Sequence, residues 1–305
     1  MSLSRRAMLV GTLSLAGATY STAPPPDEAS TSPADGFSVV TFDVPSGGSM
    51  ESGSLNGSAL VVGSAFRGSP PEPRAFAWLR DTFVWLTPES VPSVALAVDD
   101  QGRAVGWAAE NYPSLRPVVW RDAMGGSAAT DLAPLQSGGG AASAIEPDGE
   151  IYGYLQQPGS YVDLPVRFTE GDPKPLGRVG SGTPAAVNAS GVVVGTASRD
   201  GSESGRTFAA RWILLEIEEL STPEGTHSAA HAINDEGLVV GEIIDATGGG
   251  RGARAVIWDG GTARELTMPD GYDSSTAAGI DQAGTVVGTA SLLDGSRSTG
   301  VARLP

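Results

Sequence analysis

One short pattern recurs six times along the chain, and residues 233–241 show it most completely as Ile-Asn-Asp-Glu-Gly-Leu-Val-Val-Gly. An aliphatic residue, a polar residue and a short spacer lead to a turn residue, which is Gly in five copies and Ala59 in the first. A mostly β-branched pair and a second glycine close each copy. The closing glycines lie 42 to 47 residues apart, at Gly63, Gly106, Gly153, Gly195, Gly241 and Gly288. A period this regular predicts an array of structurally equivalent units.

Each unit carries signals for four short strands. A run of small residues comes before the aliphatic residue, and the β-branched pair follows the turn. The polar residue and the turn residue predict a tight hairpin between these two strands, because Asn and Asp bond to their own backbone and Gly accepts a positive φ. A third strand ends in an aromatic residue, and a Leu close to a Pro marks a fourth strand in most units.

This unit is typical of one blade of a β-propeller, since four strands within roughly 40–50 residues are the period of such a blade. We therefore predict an all-β fold, a six-bladed β-propeller with four antiparallel strands per blade. Small residues at one position of the first strand suit the crowded axis of the ring: Ala97, Ala144, Ala186, Ala232 and Gly279. Large residues on the third strand suit the space between neighbouring blades: Trp78, Trp120, Phe168, Trp212, Trp258 and Leu304.

The two ends of the chain predict how the ring closes. The sixth unit stops after its third strand, at residues 301–305. A segment at residues 38–45 supplies the missing fourth-strand signal, with Phe42 and Pro45 where other units have Leu and Pro. We expect this N-terminal strand to complete the last blade, because closure removes the exposed edges of the array.

The N-terminus resembles an export signal. Adjacent Arg5 and Arg6 precede an apolar or small run at residues 7–18, which ends in a small-residue cleavage site. Residues 4–9 resemble a twin-arginine motif with Met8 where Phe is usual, so the twin-arginine and general secretory routes both stay open. An uncleaved N-terminal anchor is a weaker alternative. We expect a secreted or periplasmic protein.

Composition divides the chain into three parts and excludes several kinds of chemistry. We predict a signal peptide at residues 1–18, a disordered linker rich in Pro, Ser and Thr at 19–36, and the propeller at 37–305. The net charge of −16 disfavours nucleic acid and anionic membrane surfaces as partners. The sequence contains no cysteine, which excludes disulfides, thiolate zinc sites and cysteine nucleophiles.

The units resemble the HAF repeat, a probable extracellular repeat of predicted propeller type. The repeat's pattern runs Ala-x-x-Ile-Asn-x-x-Gly-x-Val-Val-Gly, then His-Ala-Phe-x-Trp, then a Leu. Residues 230–241 match the first part, and residues 74–78 match the second, with Arg74 where His is usual. The resemblance covers roughly residues 37–305. It implies an extracellular repeat of propeller type and carries no catalytic residues with it.

Candidate binding residues are expected on one face of the ring, where variable segments join the second and third strands and link successive units. Variable loops on a rigid scaffold commonly bind ligands. Aromatic, amide and carboxylate side chains there suit a sugar or a peptide, although any one of them can equally be an ordinary solvated residue. His231 is the candidate for the central channel. The loop candidates are Trp107, Glu110, Tyr112, Tyr161, Asp163, Asp245 and Tyr272, with Asn111, Gln156, Gln157 and Asp200 beside them.

No catalytic or cofactor motif is present in the sequence. It lacks a nucleophile elbow, a phosphate-binding loop and a zinc-protease helix motif, so no catalytic residue, metal or cofactor is assigned. His227 and His231 are too far apart along an extended strand for one metal, and the turn aspartates lack the spacing of a calcium loop.

The leading functional prediction is therefore a secreted, non-catalytic propeller that acts as a binding or scaffold module through its variable loop face. Its partner would be a glycan or another extracellular protein. The alternative is a propeller glycoside hydrolase or polysaccharide lyase with a site at the channel mouth, because glycosidic hydrolysis needs only two carboxyl groups at the right separation. A structural surface protein is a third possibility.

Overall fold

The computed structural model describes residues 49–67, 72–109, 115–133, 139–160, 162–169, 172–177, 180–199, 206–213, 216–245, 252–260, 262–268, 270–293 and 298–303. The predicted signal peptide, linker and N-terminal strand lie outside these residues, as do Glu110, Asn111, Tyr112, Tyr161, Asp200 and Leu304. Within the described ranges the regular structure consists of β-strands, as predicted. No helix among these residues is long and apolar enough to cross a membrane.

The described strands form six antiparallel sheets in chain order, one for each repeat unit. The first contains β1 (Ser49–Leu55), β2 (Val61–Arg67), β3 (Glu72–Leu79) and β4 (Thr82–Trp85). The second contains β5 (Ser93–Val98), β6 (Ala104–Ala108), β7 (Arg116–Trp120) and β8 (Thr130–Asp131). The third contains β9 (Gly140–Ile145), β10 (Ile151–Gln156), β11 (Asp163–Phe168) and β12 (Lys174–Pro175).

The remaining sheets repeat this meander. The fourth contains β13 (Ser181–Val187), β14 (Val193–Ser198), β15 (Thr207–Ile213) and β16 (Glu216–Glu219). The fifth contains β17 (Thr226–Ile233), β18 (Val239–Asp245), β19 (Arg254–Asp259) and β20 (Thr262–Glu265). The sixth has three strands in the described residues, β21 (Ser274–Ile280), β22 (Val286–Ser291) and β23 (Ser298–Arg303).

A side-chain oxygen organises the hairpin between the first two strands in five of the six units. In the fourth unit, Asn188 Oδ1 accepts hydrogen bonds from the backbone N–H groups of Ser190 (3.1 Å) and Val192 (3.0 Å). The turn residue has a positive φ in every unit, including Ala59 at 63°. This confirms the predicted turn chemistry. The equivalent oxygens belong to Asn56, Asp99, Asn234 and Asp281.

The closing glycine is required by the close approach of two backbones. Each first strand contains a β-bulge opposite this glycine. In five units a Cβ there would overlap a carbonyl oxygen of the first strand, so no larger residue fits. These glycines are Gly106, Gly153, Gly195, Gly241 and Gly288. The bulged residues are Gly53, Leu96, Ser143, Ala185, His231 and Ala278.

The same polar side chains also connect successive units. The Nδ2 groups of Asn56, Asn188 and Asn234 donate to the backbone carbonyls of the next unit's polar residue, at 2.8, 3.2 and 3.2 Å. The Asp99 side chain has no N–H group to donate. Its carboxylate pairs with Arg103 at 2.5 Å, and the Arg103 guanidinium occupies the space that a Cβ on Gly149 of the next unit would need.

The large residues on the third strand fill the space between sheets, as the sequence predicts. Trp120, Trp212 and Trp258 are fully buried, and Phe168 is buried as well. Trp78 is half-buried beside Phe76 and Phe83. Leu304, the sixth member of the predicted set, lies outside the described residues.

The leucine that marks the fourth strand in the sequence directly follows that strand in the structure. Its backbone N–H donates to a third-strand carbonyl at 2.8–2.9 Å in all five units that contain it. This bond ends the sheet and turns the side chain toward the core. The five residues are Leu86, Leu132, Leu176, Leu220 and Leu266.

The inner strands of all six sheets contribute to one small cavity of about 80 Å³, which we call the axial cavity. Its lining includes one residue or more from each unit, among them Ser54, Ala97, Ala144, Ala186, Ile233 and Ile280. Three of the residues predicted at the axis therefore lie there, and the first strands converge on a common centre.

Candidate functional site

The third unit departs from the repeat at two positions. Glu146 stands where the other five units have Asn or Asp, and Tyr152 stands where they have Val. The other units show what the scaffold needs at these positions, so residues that differ there point to a purpose beyond folding. The repeat residues are Asn56, Asp99, Asn188, Asn234 and Asp281 at the first position, and Val62, Val105, Val194, Val240 and Val287 at the second.

These two residues form one hydrogen-bonded pair. The Tyr152 hydroxyl donates to Glu146 Oε1 at 2.6 Å, and both residues are only 6% exposed. The longer glutamate side chain carries its carboxyl group past its own hairpin, so that Oε1 lies 3.4 Å from where a Cβ on Gly191 of the next unit would be. The hairpin of the third unit loses its side-chain acceptor as a result. Glu150 N–H bonds instead to Asp148 Oδ1, at a long 3.4 Å.

The protonation of the pair follows from its burial. Burial raises the pKa of Glu146, the bond from Tyr152 lowers it in part, and the nearby carboxylates of Asp148 and Glu150 raise it further. Burial also raises the pKa of Tyr152, and the Glu146 carboxylate adds to that shift. The phenol is therefore a permanent donor at physiological pH. Glu146 is a carboxyl group whose ionised form the protein disfavours.

The pair borders the intersheet cavity, a space of about 640 Å³ between the third and fourth sheets. A row of cross-strand neighbours on the third sheet, Tyr152, Arg167 and Lys174, lines one side of it. The fourth sheet contributes its hairpin turn and the indole of Trp212. The full lining is Glu146, Glu150, Tyr152, Arg167, Lys174, Pro175, Leu176, Ala189, Ser190, Gly191, Val193, Trp212 and Ile213.

Two positively charged residues lie opposite each other on neighbouring strands beside this cavity. Arg167 on β11 is directly opposite Lys174 on β12. Arg167 Nη1 lies 3.3 Å from Glu150 Oε2, with both side chains more than 40% exposed, so this ion pair is weak. In the fourth sheet the equivalent pair has opposite charges, and Arg211 binds Glu218 at 2.6 Å.

The indole of Trp212 presents an unpaired N–H group. Its Nε1 is buried and has no hydrogen-bond partner, whereas Nε1 of the equivalent Trp258 donates to the carbonyl of Ser221 at 3.1 Å. Trp120 Nε1 in the second sheet is also unpaired. An unpaired buried donor is costly. Trp212 borders the intersheet cavity, but its Nε1 has no accessible surface there.

Three of the seven main loop candidates lie in strands instead, and Gln156 beside them ends β10. Trp107 is within β6, Asp163 begins β11, and Asp245 ends β18, because the strands extend further toward the loop face than the sequence indicates. Tyr272 is half-buried in the link before β21. Neither of the two cavities described above is lined by any of these residues. Glu110, Tyr112 and Tyr161 lie outside the described residues.

Asp163 is the loop-face candidate with the most unusual environment. Burial raises its pKa, although a hydrogen bond from Gln156 lowers it in part. Its backbone N–H bonds to Ser181 Oγ of the fourth sheet at 3.2 Å. Asp245 differs, because it accepts a hydrogen bond from Arg254 at 2.9 Å.

His231, the channel candidate, is the bulged residue of β17. Its Nε2 lies 3.9 Å from Glu242 Oε1, and its side chain is 34% exposed. The equivalent bulged residues of the third and fourth units, Ser143 and Ala185, line the axial cavity, but His231 does not. Among the described residues, no group of three or more His, Asp or Glu side chains could hold a metal ion.

Comparisons with known proteins identify a fold and no family. No protein-family model and no curated protein sequence matches the chain. A puromycin hydrolase mutant complexed with PGG matches with a TM-score of 0.55 at 14% identity, over 80% of this chain and 42% of that one. A prolyl endopeptidase matches with a TM-score of 0.52 at 11% identity, over 81% of this chain and 42% of that one.

A third match is the β-propeller domain of the Trilobed protease from Pyrococcus furiosus, with a TM-score of 0.42 at 12% identity, over 79% of this chain and 93% of that domain. This chain spans less than half of each of the first two proteins. At these identities the likeness shows the fold alone, which is an all-β, propeller-like arrangement of antiparallel sheets.

The variant Tyr152→Phe tests the buried pair. It removes the donor that stabilises the ionised Glu146, so we expect a loss of about 1–3 kcal/mol in the free energy of unfolding at pH 7. The loss should shrink toward pH 4. A raised pKa means that the folded state binds the proton more tightly than the unfolded state, so stability falls as pH rises above about 4.5, the ordinary value for Glu, toward the folded pKa.

The matched control is Tyr154→Phe, which removes the same atom two residues along β10. Urea denaturation of both variants and the parent at pH 7 and pH 4 measures the difference. Equal losses in the two variants, or a loss in Tyr152→Phe that does not depend on pH, would show that the hydroxyl does not act on Glu146.

Proposed function

We propose that this protein is a non-catalytic binding module whose ligand occupies the intersheet cavity of the third unit. The observation that carries the proposal is the departure of Glu146 and Tyr152 from the repeat, at the wall of the larger of the two cavities described. In the five other units the Asn or Asp at this position accepts hydrogen bonds from its own hairpin, whereas the Glu146 carboxyl bonds to Tyr152 at the cavity wall instead. The loop face, with Trp107 and Tyr272, is the second candidate surface.

The scaffold of this module is proposed to be a closed ring of six blades built from HAF-type repeats. The convergence of all six first strands on the axial cavity supports the ring. In the part of the chain that the structure describes, the sixth sheet has three strands, so the N-terminal strand can be its fourth. The basic and apolar N-terminal segment supports export, with the secreted or periplasmic space as its destination.

Deletion of residues 37–45 tests the ring. If this strand completes the sixth sheet, its removal exposes a sheet edge and opens the ring, and the melting temperature of the whole domain should fall by roughly 10 °C or more. Differential scanning calorimetry of the protein with and without the segment measures the change, and deletion of the predicted linker at residues 25–33 serves as the control. An unchanged melting temperature would contradict closure by this strand.

The alternative function, a propeller glycoside hydrolase or polysaccharide lyase, rests on a different observation. Glu146 has the raised pKa that a general acid needs, and Glu150 is a second carboxylate at the same cavity. The axial cavity offers less support for the predicted channel-mouth site, because the described residues that line it include no Asp or Glu.

A screen of glycans and peptides separates these possibilities. A ligand that binds only the folded state raises the melting temperature, by an amount set by its concentration relative to Kd. We expect the shift to be lost in Arg167→Gln and kept in Trp107→Ala and Tyr272→Phe. The reverse pattern would place the ligand on the loop face. Shortened or unsaturated products in the same mixtures would establish the enzyme instead.

A further inference from the structure

We propose that the intersheet cavity takes a hydroxylated carboxylate, namely a uronic acid unit of an acidic glycan, an inference that rests on the proposed binding function of the same cavity. The argument begins with Lys174. It is the only lysine in a chain of net charge −16, and it lines this cavity. Within the described residues no carboxylate lies within ion-pair distance of it, whereas most of the described arginines along the sheets have one.

The position of Lys174 makes the charge unfavourable without a partner. Like charges directly opposite each other on neighbouring strands destabilise a sheet, and Arg167 is directly opposite Lys174. At the equivalent positions of the fourth sheet, Arg211 is opposite the negatively charged Glu218. In the fifth sheet, Arg264 is opposite the apolar Ile257. The third sheet keeps two cations together, with a single weak carboxylate contact from Glu150. A bound carboxylate between Arg167 and Lys174 would supply the missing charge.

The deeper part of the cavity suits hydroxyl groups. The Glu146 carboxyl can accept a hydrogen bond from a ligand hydroxyl. Ile213 of the fourth sheet is 43% exposed and adds apolar surface for C–H groups. A sugar ring presents hydroxyl donors, hydroxyl acceptors and C–H faces together. The volume of about 640 Å³ lies in the usual range for small-molecule sites.

Because the chain is acidic, binding of an acidic sugar depends on the positive charges of Arg167 and Lys174. A net charge of −16 repels an anion at long range, so binding depends on local contacts with Arg167 and Lys174. A neutral sugar escapes this repulsion but leaves the two cations uncompensated. Binding of the acidic sugar should therefore weaken when either cation is removed, while binding of a neutral sugar should not.

Calorimetric titration of the full protein with four probes tests the inference. The probes are galacturonic acid, galactose as the same ring without the carboxylate, acetate as the carboxylate without the ring, and inorganic phosphate as a simple anion. We expect galacturonic acid to bind at least about tenfold more tightly than each of the other three, a difference of about 1.4 kcal/mol. Lys174→Gln should remove most of that preference.

The fifth sheet supplies the matched control. Arg264 occupies the position equivalent to Lys174 on the fourth strand, so Arg264→Gln makes the same change of charge on a sheet without the cavity. We expect it to leave galacturonic acid binding unchanged. Because the sequence has one lysine, an amine-reactive reagent gives a second readout. Galacturonic acid should slow modification of Lys174 and leave the N-terminal amine unaffected.

The outcomes separate this inference from the proposed function. If galactose and galacturonic acid bound equally and Tyr152→Phe abolished both, the ligand would not need a carboxylate. The inference would then be wrong, but the binding site would stand. If phosphate protected Lys174 to the same degree as galacturonic acid, the cavity would be a general anion site and the assignment of a sugar ligand would be wrong. Binding unaffected by both Lys174→Gln and Tyr152→Phe would overturn the site itself. Absence of galacturonic acid binding at millimolar concentration would overturn the inference.

Discussion

The structure depends on one short polar side chain at the first hairpin of five of the six units. Its oxygen closes its own turn, and in Asn56, Asn188 and Asn234 its N–H groups bond to the next unit. These three bonds hold the inner strand of one unit against the inner strand of the next. Asp99 cannot donate, and Arg103 reaches the following unit in its place.

The third unit gives up this contact, and the candidate site lies where the contact is missing. Glu146 extends beyond its own hairpin to bond with Tyr152, and the intersheet cavity lies beside this pair. The arrangement burdens the fold with a buried carboxyl group and with two facing cations. Such features commonly persist where function needs them and the rest of the scaffold supplies the stability. The repetition of the other units makes the departure visible.

The sequence predicted most of the fold because the relevant chemistry is local. A hairpin made by a polar residue and a turn residue repeats at a fixed period, so the strands, the small inner residues and Trp120, Trp212 and Trp258 follow from the pattern. The candidate site was missed because it depends on which side chains meet across strands and across sheets. A signal was present, since glutamate replaces Asn or Asp and tyrosine replaces Val in one unit alone. Trp107 and Asp163 were placed on loops because no turn residue marks where the outer strands end.

The free energy of unfolding of Glu146→Asn at pH 7, made in a Tyr152→Phe parent and measured by urea denaturation, tests the central claim most directly. The phenylalanine leaves no tyrosine hydroxyl without an acceptor, and asparagine restores the residue type of Asn188, with an oxygen for its own hairpin and N–H groups for the next unit. If Glu146 serves a ligand rather than the fold, the variant should be as stable as the parent or up to about 2 kcal/mol more stable, since a buried carboxyl is replaced by a paired amide. A loss of more than about 1 kcal/mol would contradict the account, because it would show that the fold itself depends on Glu146.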